Sequence, residues 1–92
     1  MARRPEAVRT IASSLPRYAG EIERAYGESS EFRSICVGLF ACRKALSYWE
    51  KIHTENGAAR RAEYGELLET LEREVLEWLG AHGRIREDEV RG

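Results

Sequence analysis

The 92-residue sequence predicts an all-α fold: a long antiparallel helical hairpin with one or two shorter N-terminal helices packed on it, a small helical bundle. Two apolar lines and one break predict it. Phe32, Ile35, Leu39, Cys42, Leu46, Trp49 and His53 recur at intervals of three and four, which places them on one face of an α-helix. Tyr64, Leu68, Leu71, Val75 and Trp78 repeat the pattern. Between the lines stands Asn56-Gly57, a strong turn dipeptide.

The N-terminal segment holds its own three-four rhythm in Val8, Ile11, Leu15, Tyr18, Ile22 and Ala25. Pro16 interrupts it, because proline lacks a donor and clashes with the preceding turn. Either a short helix ends near Ser14, or one helix starts near Pro16 and runs to about Tyr26, with Gly27 as a left-handed cap. Arg3, Arg4, Arg9 and Arg17 outnumber Glu6 and make the segment basic. A solvated, frayed terminus accounts for the leading arginine pair.

Ser29 or Ser30 caps the first long helix, and Glu31 suits the positive end of its dipole. This helix is expected to run to His53, roughly 34 Å. The second long helix is expected from Ala59 to Leu79, about 31 Å, ended by Gly80 and Gly83. Residues 1–83 then form a single domain with the hairpin at 29–80, and 84–92 a charged, mobile tail. The first long helix is the more basic and the second the more acidic. Their exposed ion pairs favour the pairing by ~1 kcal/mol or less each.

The second long helix is one-sided, with Leu67, Leu68, Leu71, Val75 and Leu79 inward and a run of glutamates outward. The first is not. Gly38, Ala41, Ala45, Tyr48 and Ile52 make a second apolar line beside the main one. Cys36, Val37 and Phe40 widen it further. A helix apolar on most sides is covered on most sides, by the N-terminal helix, a second copy of the chain, or both. The expected homodimer contact is Val37, Phe40, Ala41, Ala45 and Tyr48, whose small members permit close approach.

Composition narrows the function. A net charge of −1 argues against a nucleic-acid-binding domain, whose affinity comes mostly from neutralised phosphates. The longest apolar stretch, 35–42, falls far short of the roughly 20 residues of a membrane span. The N-terminus has no secretory apolar run, so a cytoplasmic location is the default expectation. Cys36 and Cys42, six apart on one helix, place their Cα atoms ~10 Å apart, too far for a disulfide. They read as small buried hydrophobes. Neither metal-ligand spacing nor a cofactor-cradling glycine loop is present, and no small-molecule substrate is identifiable.

His53-Thr54-Glu55-Asn56-Gly57 resembles the His-x-x-Lys-Gly core of histidine-phosphotransfer domains, which are also helical bundles. Asn56 stands where the lysine would be, and Asn-Gly suits a turn better than mid-helix sequence. The glutamates read as a solvated face rather than as acid-base groups held in a pocket. The pattern of the all-helical chorismate mutases, Leu-Arg followed by Ile-Asp, is absent. Trp49 and Trp78 occupy core lines near opposite ends of the hairpin, and Arg60-Arg61 reads as a tolerated surface pair.

Residues 28–79 resemble a group of small uncharacterised bacterial helical-hairpin proteins. The shared pattern is Phe32-Arg33, Cys36, Ala45-Leu46 and Trp49, then Glu63-Tyr64, Leu67-Leu68, Leu71-Glu72 and Glu74. The resemblance implies a helical hairpin and carries over no functional residue. The chain departs from the pattern at Val37-Gly38-Leu39-Phe40, which is more apolar and strengthens the case for a covering partner. The expectation is a non-enzymatic protein-interaction or self-association module, a homodimer or a partner-docking protein. The alternatives are a phosphotransfer protein using His53, or a small helical ligand-binding protein or enzyme.

Overall fold

Serine, threonine and glycine at a few positions decide where the helices begin and end. The computed structural model describes residues 5–86, 88 and 90. The order is α1 (Glu6–Ser14), a 3₁₀ turn (Pro16–Tyr18), α2 (Ala19–Glu28), α3 (Ser30–Glu50) and α4 (Glu55–Ala81). No strand occurs among the described residues. The α3–α4 pair is the hairpin, and α1 and α2 pack on each other and on α3.

The N-terminal alternatives both hold in part. Pro16 ends α1 and starts the 3₁₀ turn, and α2 follows directly. The helical segment thus bends at the proline, and Leu15 keeps its amide bonded to Ile11 O at 3.0 Å. Gly27 is not a left-handed cap. It lies inside α2, which ends at Ser29 in an extended conformation. Ser29 then starts α3 directly, its Oγ accepting from Phe32 N at 3.1 Å.

The hairpin link falls earlier than Asn56-Gly57. α3 stops at Glu50, and His53 lies outside it in the link, exposed. Thr54 caps α4, its Oγ1 accepting from Gly57 N at 3.0 Å, so Asn56 and Gly57 form the first turn of α4. Gly57 is buried because the link folds back over it. A Cβ there would lie 2.3 Å from Ile52 O. Glycine serves close approach here, not a left-handed turn.

Arg61 is no idle surface residue. Its Nη1 donates to Ile52 O (2.6 Å) in the link, and to Trp49 O (3.1 Å), which also accepts from Ile52 N at 3.1 Å. Arg60 pairs with Glu63 at 2.9 Å. At the other end, Gly83 takes φ +68°. Gly83 N bonds Gly80 O (3.1 Å) and Arg84 N bonds Leu79 O (2.8 Å), a Schellman closure. Arg84 also donates to Glu28, and Ile85 packs against the core. The chain therefore stays anchored past 83, against the expected mobile tail from 84, and Val90 is half-buried beside Gly80 and Leu76.

The core gathers Val8 and Ile11 of α1, Ile22 and Ala25 of α2, Phe32, Cys36 and Leu39 of α3, and Val75, Trp78 and Leu79 of α4. Phe32 and Trp78 meet ring to ring at 4.7 Å, and Trp78 Nε1 donates to Glu31 at 3.0 Å. His82 stacks on the same indole at 3.8 Å. This core occupies one end of the hairpin. The 27 residues of α4 give about 40 Å, close to the molecule's longest extent of 43 Å. α1 and α2 bury only the part around Val75–Leu79 and Phe32–Leu39, and the start of α1 runs on beside α3 toward Lys51. Toward the link, Leu46, Trp49, Tyr64 and Leu68 are half-buried and Leu67 is exposed.

Candidate functional site

The side of α3 turned away from the core is where the structure leaves the most to explain. On a helix, 34, 37, 41, 45 and 48 fall within one arc opposite the line of Phe32, Cys36 and Leu39. Val37 keeps 53% of its surface exposed and Tyr48 keeps 58%. Ser34, Gly38 and Ala41 are exposed between them, and Ala45 is half-buried. The N-terminal helices do not cover this face. They pack on the opposite side and on one shoulder, because the bend at Pro16 seats Val8, Ile11, Ile22 and Ala25 together against the core line.

Phe40 differs from the other four expected contact residues. It is half-buried on the α1 shoulder, with Lys44 Nζ 5.2 Å from its ring centre. There α1 and α3 diverge into an open cleft of about 450 Å³. Arg43 lies along it and reaches past it toward α4, its Nη2 3.9 Å from Glu72. Arg43 Nε is buried with no hydrogen-bond partner. Sequence reasoning passed over this residue. The available signal was its position: 32, 36, 39 and 43 continue one heptad-like line, on which an arginine interrupts the core.

Both thiols are free and buried. Burial pushes the Cys36 thiol up to about 12. Burial also raises Cys42, against the opposing charge of Arg43, and its Sγ donates to Tyr64 O at 3.4 Å. Low-pKa, accessible thiolates are the reactive ones, and neither residue is of that kind. His53 stands in the exposed link, off the face of any helix, with Lys51 two residues earlier at the end of α3. Trp78 is a core residue, while Trp49 is half-buried and meets Tyr48 edge to face at 5.1 Å. Among the described residues no polar or charged residue is fully buried, no three potential metal ligands cluster, and no helix is long and apolar enough to cross a membrane.

Comparison with known proteins finds no matching family model, no matching curated protein and no matching solved structure. The functional reading therefore rests on the faces of the molecule itself.

Proposed function

We propose that the chain is a non-enzymatic self-association module, joined to a second copy through the outer face of α3. The observation that carries this reading is the exposed row of Val37, Ala41 and Tyr48 on a helix whose opposite side is packed in the core. The middle of the face bears no charge, and Gly38, Ala41 and Ala45 let a second helix approach closely.

The order of sizes along the face favours a second copy over an unrelated protein. In a C2 dimer the same patch faces itself. Crossing two antiparallel α3 helices at Ala41 brings Val37 level with the other copy's Ala45, and Tyr48 level with its Ser34. Each larger side chain then meets a small one. Parallel α3 helices would set Val37 against Val37 and Tyr48 against Tyr48.

Light scattering at tens of micromolar tests the proposal. The expected mass is twice the 10.5 kDa of one chain. Val37→Glu places a charge on a residue already exposed in the single chain, so the fold survives it while the interface does not. The variant is expected at one-chain mass with unchanged helical circular dichroism. A wild-type mass of one chain overturns self-association. A dimer that persists in Val37→Glu overturns this face as its site.

A further inference from the structure

The cleft between α1 and α3 has the chemistry of a binding site, and it lies on the shoulder of α3 rather than on its outer face. We propose that it binds a small ligand combining a phosphomonoester with a planar apolar ring.

Charge is the first argument. Arg43, Lys44 and Lys51 all line the cleft, and Glu6 at the start of α1 is the one carboxylate among its described lining residues. Three cations less one anion leave a surplus of two. Glu72, at 3.9 Å from Arg43 on the α4 side, offsets part of it. The remaining surplus, between one and two, matches a phosphomonoester at neutral pH, which carries roughly −1.5 to −2. A lone carboxylate would leave part of it unmatched.

Geometry is the second argument. Arg43 lines the cleft with its guanidinium turned toward Glu72 of α4, and its Nε is enclosed, out of reach of a ligand. Its charge still acts on the cleft, and the exposed ammonium groups of Lys44 and Lys51 are the donors that a ligand's phosphate oxygens can reach. Thr10 on α1 and Ser47 on α3 add hydroxyl donors from the two walls.

The ring follows from the remaining walls. Phe40 and Tyr48 supply aromatic surface beside the cations. Phe40 is already engaged by Lys44 at 5.2 Å, which places apolar and cationic contacts side by side. The volume of about 450 Å³ falls within the range of small-molecule sites, about 300–1,000 Å³. An inorganic phosphate would leave the aromatic part of it empty.

The test is a nuclear magnetic resonance titration of the full chain at low salt with phenyl phosphate, inorganic phosphate and benzyl alcohol. Phenyl phosphate is expected to shift the amides of Thr10, Lys44, Ser47 and Tyr48 saturably, and to bind more tightly than either other probe. Lys44→Gln combined with Lys51→Gln changes two exposed side chains and preserves the fold. It is expected to weaken phenyl phosphate by about tenfold or more. Arg73→Gln on α4 is expected to leave binding unchanged. Three results overturn the proposal: shifts spread evenly over basic residues elsewhere on the surface, an affinity unaffected by the double lysine change, or inorganic phosphate binding as tightly as phenyl phosphate. The cleft shares Tyr48 with the outer face, so the same titration is run on Val37→Glu, a residue that does not line the cleft; binding there with the affinity of the wild type separates this proposal from the fate of the dimer.

Discussion

Gly57→Ala and Gly65→Ala make the same chemical change in the same helix and are expected to act with opposite signs. In an exposed helix interior, alanine is favoured over glycine by up to about 1 kcal/mol, because glycine loses more backbone entropy on folding. At Gly65 nothing lies within 4 Å of an added Cβ, so that gain is realised. At Gly57 the Cβ would sit 2.3 Å from Ile52 O and 3.1 Å from both its carbonyl carbon and its Cγ2. Backbone cannot rotate away as a side chain does, so the 51–54 link must move by about 1 Å to restore ordinary contact. That carbonyl also accepts from Arg61 at 2.6 Å, so moving it weakens the closure of α3. A charge-assisted bond contributes about 1.5–3 kcal/mol when well formed. After the alanine gain, a net loss of about 1 kcal/mol remains. For a domain of this size that lowers Tm by about 4–8 °C, while Gly65→Ala raises it by up to about 4–8 °C. Thermal melts followed by far-UV circular dichroism, at one fixed protein concentration, read both shifts. If Gly57→Ala melts at or above the wild-type temperature, Gly57 is not held by the close approach of the link.

Two further perturbations follow from particular contacts. Arg61→Ala leaves the Ile52 carbonyl without its donor and takes one donor from Trp49 O, and is expected to cost about 1–2 kcal/mol, less than the full value of two charged bonds because Arg61 is only half-buried and Trp49 O keeps Ile52 N; urea unfolding measures the loss, and hydrogen exchange should quicken at the C-terminal turn of α3 before anywhere else. Cys36 stays a neutral thiol in the fold up to about pH 12 but ionises near its ordinary value of 9.0 once unfolded. Its contribution is therefore fully present below pH 9 and declines by up to about 1.4 kcal/mol per pH unit above it. Urea unfolding of wild type and Cys36→Ala between pH 8.5 and 10.5 isolates that part, and equal slopes would refute it.

The residues that set the hairpin were legible because their signals are local. Ser29 and Gly83 act through atoms within a few residues, and the apolar line from Phe32 to Cys42 reports a helix face whatever packs on it, whereas the Thr54 cap, five residues before the expected start of α4, was not read. Asn56-Gly57 was misplaced because one dipeptide serves two purposes. It is a common turn signal, but here glycine is required by the Ile52 carbonyl passing over it, a contact that sequence spacing does not express.

Burial was legible only where the chain supplies its own cover. The three-four line predicts equal burial for Leu39 and for Leu46 and Trp49, yet only the first is fully buried. The difference is the reach of α1 and α2, which the bend at Pro16 confines to one end of the hairpin. The same limit separates Phe40 from Val37. Both are apolar positions off the core line of α3, but α1 passes beside the first and leaves the second uncovered. A sequence can mark a helix as apolar on too many sides for one neighbour. Which side remains open depends on where the other helices run, and on α3 it is the side of Val37, Ala41 and Tyr48. Arg43 obeys the same logic from within. Its place on the core line carries its stem inward toward Glu72, and its Nε is enclosed with no acceptor. The uncovered face of α3 and the cleft beside α1, which local pattern could not resolve, are therefore the two features on which the functional proposals rest.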